Sequence, residues 1–238
     1  MEKPEDNPKG GPITHDYRLR LQMYLAFKEL FDGPVPKTDE NGLKDFFKLF
    51  EDYLTVNPNE IMRKGFDLVG AYFSRDRPEE EDLIWDEIEF DFNRLFVGPG
   101  KLMAAPFESV YSNKGKDRTT MSDITEAVRE FYLSEKLEIK NLNTEPDDHI
   151  RFELEFICYL LAKSNTTDPV KPWEAESYEK FRQFKRDHLL TWGFRWCQDI
   201  YRNANTDLYK GVGFLFYGFL EEEGKEIKKE GEIFYQEF

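Results

Sequence analysis

The chain has 238 residues, a formal net charge of -15 and an aromatic fraction of 16%, with 22 Phe and 12 Tyr. That length can bury a large core in one domain, and the acidic balance argues against DNA or RNA as a main partner, because phosphate binding needs clustered Lys and Arg. No apolar run reaches the roughly 18 residues of a membrane span, the first residues lack an apolar signal core, and Cys158 and Cys197 form no metal-ligand spacing, so a soluble cytoplasmic protein with buried thiols is expected.

Residues 1–13, rich in Pro, Gly and charge, read as a flexible tail, and 14–238 as one helical domain. From Thr14, apolar positions recur at helical spacing (Tyr17, Leu21, Tyr24, Leu25, Phe27, Leu30, Phe31) until DGPVPK breaks the pattern at 32–37. A second helix over 43–54 turns Phe46, Phe47, Phe50 and Leu54 inward. Asn57 or Asn59 then caps a helix carrying Ile61, Phe66, Val69 and Tyr72. Pro78 suits the first turn of the next helix, and the four acids at 79–82 favour the positive end of its dipole. Ile84, Ile88, Phe92, Leu95 and Phe96 form its apolar stripe, which Gly98-Pro99-Gly100 ends.

Residues 97–121 carry no sustained pattern, yet AAPFESVY is too apolar for a simple linker and is expected to lie across the helices. Thr120 or Ser122 caps a helix to about Lys136, with Ile124, Val128, Phe131 and Leu133 as apolar positions. Helical patterns follow from Ile150 to near Lys163 and over 173–190, 192–202, 208–220 and 226–234, broken by SNTTDPVKP after the first. Gly211 and Gly213 mark a close helix–helix approach. β-alternation is nowhere sustained, so the expected fold is all-α, with about ten helices.

The stretch TEPDDHIRFELEF gathers the most polar chemistry. Thr144 and Asp147 have capping-box spacing, Pro146 suits the first helical position, and Asp147 and Asp148 suit the first turn. Helix initiation leaves His149 unexplained: ahead of Ile150 it reads as outward-facing, with the dipole opposing its protonated form and the neighbouring acids favouring it. Asp148 and His149 are adjacent and do not face one way, so they are no preformed acid–base pair. His149 and Glu153 lack an HExxH context, and His15 and His188 are remote in sequence, so neither a metal nor another cofactor is expected. Ile150, Leu154, Ile157 and Leu161 form one face of the following helix, and Phe152, Phe156 and Tyr159 another. Such a helix is central and holds its first turn rigidly. No nucleophile elbow, phosphate loop or dinucleotide fingerprint is present, so nothing requires an enzyme.

Three segments, FNRLFVGPG (92–100), APFESVY (105–111) and EPDDHIRFELEF (145–156), together resemble the TorD/DmsD/NarJ family of redox-enzyme maturation chaperones in order and spacing. HLLTW (188–192) also fits, and the resemblance covers roughly residues 80–220. It implies an all-helical cytoplasmic chaperone rather than an enzyme, without a cofactor. Its partners would be the N-terminal signal region, often a twin-arginine (Tat) signal, and the catalytic subunit of a molybdenum-dependent reductase. By position, the resemblance assigns Phe92, Leu95 and Phe96 to the apolar part of a peptide site. Asp148 and His149 supply its polar edge, with Glu145 and Asp147 beside them and Pro106 and Tyr111 contributing from the loop. A single Pro106 stands where the family often has two prolines, Phe92 where some members have Trp, and Thr191 where Pro is frequent. A carboxylate-rimmed apolar groove complements a leader with arginines and an apolar run. The alternatives are a NarJ-like assembly chaperone for a non-exported subunit and a GTP-binding helical protein. A monomer or a helix-exchanged dimer is expected, with 97–121 as a hinge.

Overall fold

The structure, a computed structural model, describes residues 14–37, 40–75, 81–112, 123–139, 145–165 and 175–227. These form the helices α1 (Thr14–Asp32), α2 (Glu40–Val56), α3 (Glu60–Phe73), α4 (Glu81–Phe92), α5 (Glu108–Ser112), α6 (Asp123–Ser134), α7 (Ile150–Ser164), α8 (Ala175–Phe184), α9 (Leu190–Asn203) and α10 (Asp207–Lys225). Among the described residues the only β pairing is an isolated bridge between Phe107 and His149, so the all-α expectation holds. The tail 1–13, Pro78, Glu79, Glu80, Thr120, Ser122, Thr144, the SNTTDPVKP break beyond Asn165 and the last helix beyond Ile227 fall outside the described residues.

Two π turns alter the expected helix boundaries. Asn93–Val97 continues α4, and Lys185–Leu189 joins α8 to α9 without a break. The wider turn at 185–189 directs Lys185, His188 and Leu189 inward together. Gly98 ends the first π turn as expected: its φ of 105° lies where only glycine is comfortable, and its N–H donates to the Asn93 carbonyl at 2.7 Å. Asn59 is the cap of α3, accepting the Met62 N–H at 2.9 Å and donating to Glu221 and Glu222. Leu25 and Leu133, read as apolar-face residues, are exposed.

The innermost helix is α10, more enclosed than α7. Its apolar residues face inward all around, which only an interior helix can do. Phe27 of α1 meets Phe216 and Phe219 at 4.7 and 5.1 Å, and α3 crosses α10 where two glycines meet. A Cβ on Gly65 would lie 2.6 Å from both the Gly211 carbonyl oxygen and the Leu215 nitrogen. Backbone atoms of a buried helix cannot yield, so this crossing needs the missing side chain. The close approach expected at Gly211 and Gly213 is therefore real, and its partner at Gly211 is Gly65.

The far end of α10 carries buried charge. Glu223 accepts two bonds from Arg20, one from Lys185 and one from Tyr24, at 2.6, 2.6, 2.6 and 2.5 Å. Burial alone raises the Glu223 carboxyl, but Arg20 and Lys185 outweigh it and bring it down to about 2. Among the described residues, no helix is long and apolar enough to cross a membrane.

Two substitutions test this architecture. Gly65→Ala should destabilise by about 1–3 kcal/mol despite alanine's better helix propensity. Gly224→Ala, where nothing lies within 4 Å, should be neutral or slightly stabilising, and thermal melts of the two separate a packing constraint from a helix effect. Glu223→Gln leaves buried cations undercompensated and should lower stability by about 3 kcal/mol near neutral pH. Because the folded carboxyl is depressed from 4.5 to about 2, wild type loses this advantage as pH falls through that window. Denaturation curves of wild type and variant should converge there.

Candidate functional site

The segment leading into α7 is held from the side rather than capped by its own acids. Asp148 is fully buried. Its carboxylate accepts the Ser109 N–H at 2.7 Å and the Thr125 hydroxyl at 3.1 Å. Two backbone bonds run alongside, Glu108 N–H to the Asp148 carbonyl at 3.0 Å and Ile150 N–H to the Pro106 carbonyl at 2.9 Å. Asp147 accepts from Arg129 at 2.5 Å through its carboxylate and from the Tyr132 hydroxyl at 3.0 Å through its carbonyl. The segments around APFESVY and EPDDHI are thus side by side, with α6 closing over both.

This corrects the reading of the helix start. The cap of α7 is His149, whose extended backbone ends at Ile150 and whose Nδ1 accepts the Arg151 N–H at 3.1 Å. Asp147 and Asp148 precede the cap instead of occupying the first turn. Tertiary donors hold them there, a pull that a local capping pattern cannot register.

His149 is half-buried, edge-on to the rings of Phe107 at 5.1 Å and Phe152 at 6.1 Å. Burial, then the Arg151 guanidinium, push its pKa down to about 3, with Asp32 opposing. It is a neutral ring at physiological pH, and the neighbouring acids do not charge it. Arg151 lies over Phe152 and pairs with Asp32 at 3.0 Å and with Glu145. The outward surface here is therefore Glu145, His149, Phe107, Arg151 and Phe152.

Beneath it, carboxylates are enclosed. Glu108 meets His188 Nδ1 at 2.8 Å and accepts from Thr191 at 3.3 Å. Glu153, fully buried, accepts the Trp192 indole N–H at 3.2 Å, while its other oxygen has no partner. Burial, with Glu108 and Asp148 nearby, holds its carboxyl well above the usual carboxylate range. Tyr111 stacks on Trp192 at 5.7 Å and donates to Asp199 at 3.1 Å. Pro106 is buried. Among the described residues, no group of three or more His, Cys, Asp or Glu could hold a metal ion.

Sequence reasoning missed Glu153, Glu108 and His188 as one network. Glu153 did leave a signal: it lies three residues after Ile150 and four before Ile157, on the apolar face of α7. Phe92, Leu95 and Phe96, which helical spacing reads as core more often than groove and which the resemblance assigns to the peptide site, are buried. All three are core residues, Phe96 facing Trp196 at 5.8 Å and Tyr209 at 6.0 Å. Leu95 and Phe96, within the π turn, continue the buried stripe of Ile88 and Phe92. They are tied to the site through the loop, by Ala104 N–H to Leu95 O at 3.0 Å and Trp196 indole to Ala104 O at 3.1 Å, and through the Phe96–Trp196 ring contact. An open cleft of about 780 Å³ between α2 and α3 contains none of the expected residues.

Residues 41–198 match the family model described as nitrate reductase delta subunit. The chaperone protein TorD of Aliivibrio salmonicida is 28% identical over 211 residues, covering 85% of this chain and 91% of that protein. TorD of Actinobacillus pleuropneumoniae serotype 7 is 28% identical over 205 residues, covering 84% and 88%. The probable Tat proofreading chaperone DmsD of Haemophilus influenzae is 25% identical over 124 residues, covering 52% and 54%.

The buried acid gives a pH test. Glu153 ionises at a higher pH in the folded protein than its ordinary value of 4.5 in the unfolded chain. Wild-type stability therefore falls as pH rises above 4.5, by at most about 1.4 kcal/mol per unit, until the raised folded pKa is reached. Glu153→Gln removes that slope. Its melting temperature should match wild type near pH 4.5 and exceed it as pH rises above that value.

Proposed function

We propose, from the premise that the chain belongs to the nitrate reductase delta subunit family and is a TorD/DmsD-type chaperone of redox-enzyme maturation, that it acts in the cytoplasm on the N-terminal leader of a molybdenum-dependent oxidoreductase subunit. It holds that subunit until its cofactor is in place. The observation that carries this reading is the clamp between Pro106–Ser109 and Asp147–Ile150, which presents Glu145, His149 and Phe107 on one rigid surface. Glu145 offers a carboxylate to a leader arginine, and the neutral His149 ring lies between two aromatic rings that suit apolar side chains. Asp147 and Asp148 act from beneath as positioning residues. Phe92, Leu95 and Phe96 support the loop from the core.

A second reading has its own support. The matching family model is described as nitrate reductase delta subunit, and in this reading the chain is a NarJ-like assembly chaperone whose client leader is not an export signal. Calorimetric titration with a leader peptide, and with the same peptide carrying lysines in place of its paired arginines, separates the two. A loss of affinity supports a Tat leader, and equal affinity supports the non-exported client. Absence of binding to leaders of any molybdenum-dependent subunit encoded nearby would overturn both.

The His149 role is separable from its capping role. His149→Asn keeps a cap acceptor and removes the ring. It should melt within a few degrees of wild type yet bind leader more weakly, whereas His149→Ala should in addition lose about 1 kcal/mol of stability. Unchanged affinity in His149→Asn would confine His149 to capping.

A further inference from the structure

We propose that the outer face of α4 binds a further apolar, arginine-bearing stretch of the client leader, in addition to the contacts at Glu145 and His149, an assignment that rests on the leader-binding reading above. The helix stripe expected to do this faces the core, and its opposite side is open. Leu83 and Phe90 are 55% and 67% exposed. They are seven residues apart, two turns of one helix, and so share a face. Asp86 and Glu87 lie between them on that face, and Glu89 is beside Phe90; all three are exposed.

The charge of this surface is one-sided. Its exposed acids are Asp86, Glu87 and Glu89, and α4 contains no basic residue. Isolated exposed apolar side chains are ordinary. Two on one face, bracketed by carboxylates without a cation on the helix, form a surface of defined preference. A cleft of about 340 Å³ opens beside Phe90, lined in part by Tyr72, Glu87, Asp91 and Asp207, with Arg75 opposite and paired to Asp207. A peptide placed here buries apolar residues on Leu83 and Phe90. It sets guanidinium groups against Asp86, Glu87 and Glu89 in bidentate geometry, or over the Phe90 ring. A basic amphipathic segment satisfies both requirements at once; a purely apolar or an acidic one does not.

The test measures binding of a fluorescein-labelled synthetic twin-arginine leader to the full chain. The double variant Leu83→Ser/Phe90→Ser should bind roughly tenfold or more weakly. The charge reversal Asp86→Lys/Glu89→Lys should also weaken binding and flatten its salt dependence. Both should melt as wild type does, because the altered side chains are exposed. If wild type binds the leader and both variants bind it equally well, the α4 surface is overturned while leader binding stands. If wild type itself binds no leader, the reading beneath it falls as well. Should light scattering show a wild-type dimer that becomes a monomer on Phe90→Ser, the face belongs to a second copy and the assignment is overturned.

Discussion

The carboxylate of Asp148 is the contact on which the candidate site depends. It has no solvent exposure, so its charge must be satisfied by fixed donors, and these come from two other elements: the Ser109 amide at the start of α5 and the Thr125 hydroxyl on α6. One buried anion thereby ties the loop after α4, the α6 helix and the first residue of α7 into a unit. The two flanking backbone bonds add register, so that Phe107 lies opposite His149. Segments about 40 residues apart in sequence are thereby neighbours in space.

The molecule handles buried acidity in two opposite ways. At the end of α10, Glu223 is charged because Arg20, Lys185 and Tyr24 all point at it. Beneath the loop clamp, Glu153 is enclosed with Glu108 and Asp148, and the Trp192 indole is its donor. Removing a charge is unfavourable in the first place and favourable in the second, although the residue type and degree of burial are the same. The difference lies in the sign of the surroundings. The first network braces α1, α8 and α10 against one another. The second lies directly under the surface formed by Glu145, His149 and Phe107, with acids rather than cations around it.

The helices were legible because apolar residues recur at helical spacing through most of the chain, and a large aromatic content leaves no ambiguity about a core. Glycine was legible where it acts locally, as at Gly98, whose left-handed backbone ends a helix. Its tertiary use was half visible: Gly211 signalled a close approach, but nothing near it in sequence names Gly65 as the partner. The π turns were not legible, since a single inserted residue barely disturbs an apolar stripe. The turn at 93–97 contains the buried Leu95 and Phe96, and the one at 185–189 the buried Lys185 and His188.

By itself, the sequence determined the all-helical class, the start of α7 to within a few residues, the acidic surface, and the motif segments that mark the family, because each is written in local spacing or composition. Only the tertiary structure decided what those motif residues touch. Asp147 and Asp148 carry the composition of a helix start, but Arg129, Tyr132, Ser109 and Thr125 draw them into a buried clamp. His149 carries a titratable ring, but burial beside Arg151 leaves it neutral. Phe92 and Phe90 are two residues apart on one helix, and whether either meets solvent depends on which side the rest of the chain covers. Burial and the sign of neighbouring charge are properties of distant segments brought together, and no local pattern contains them.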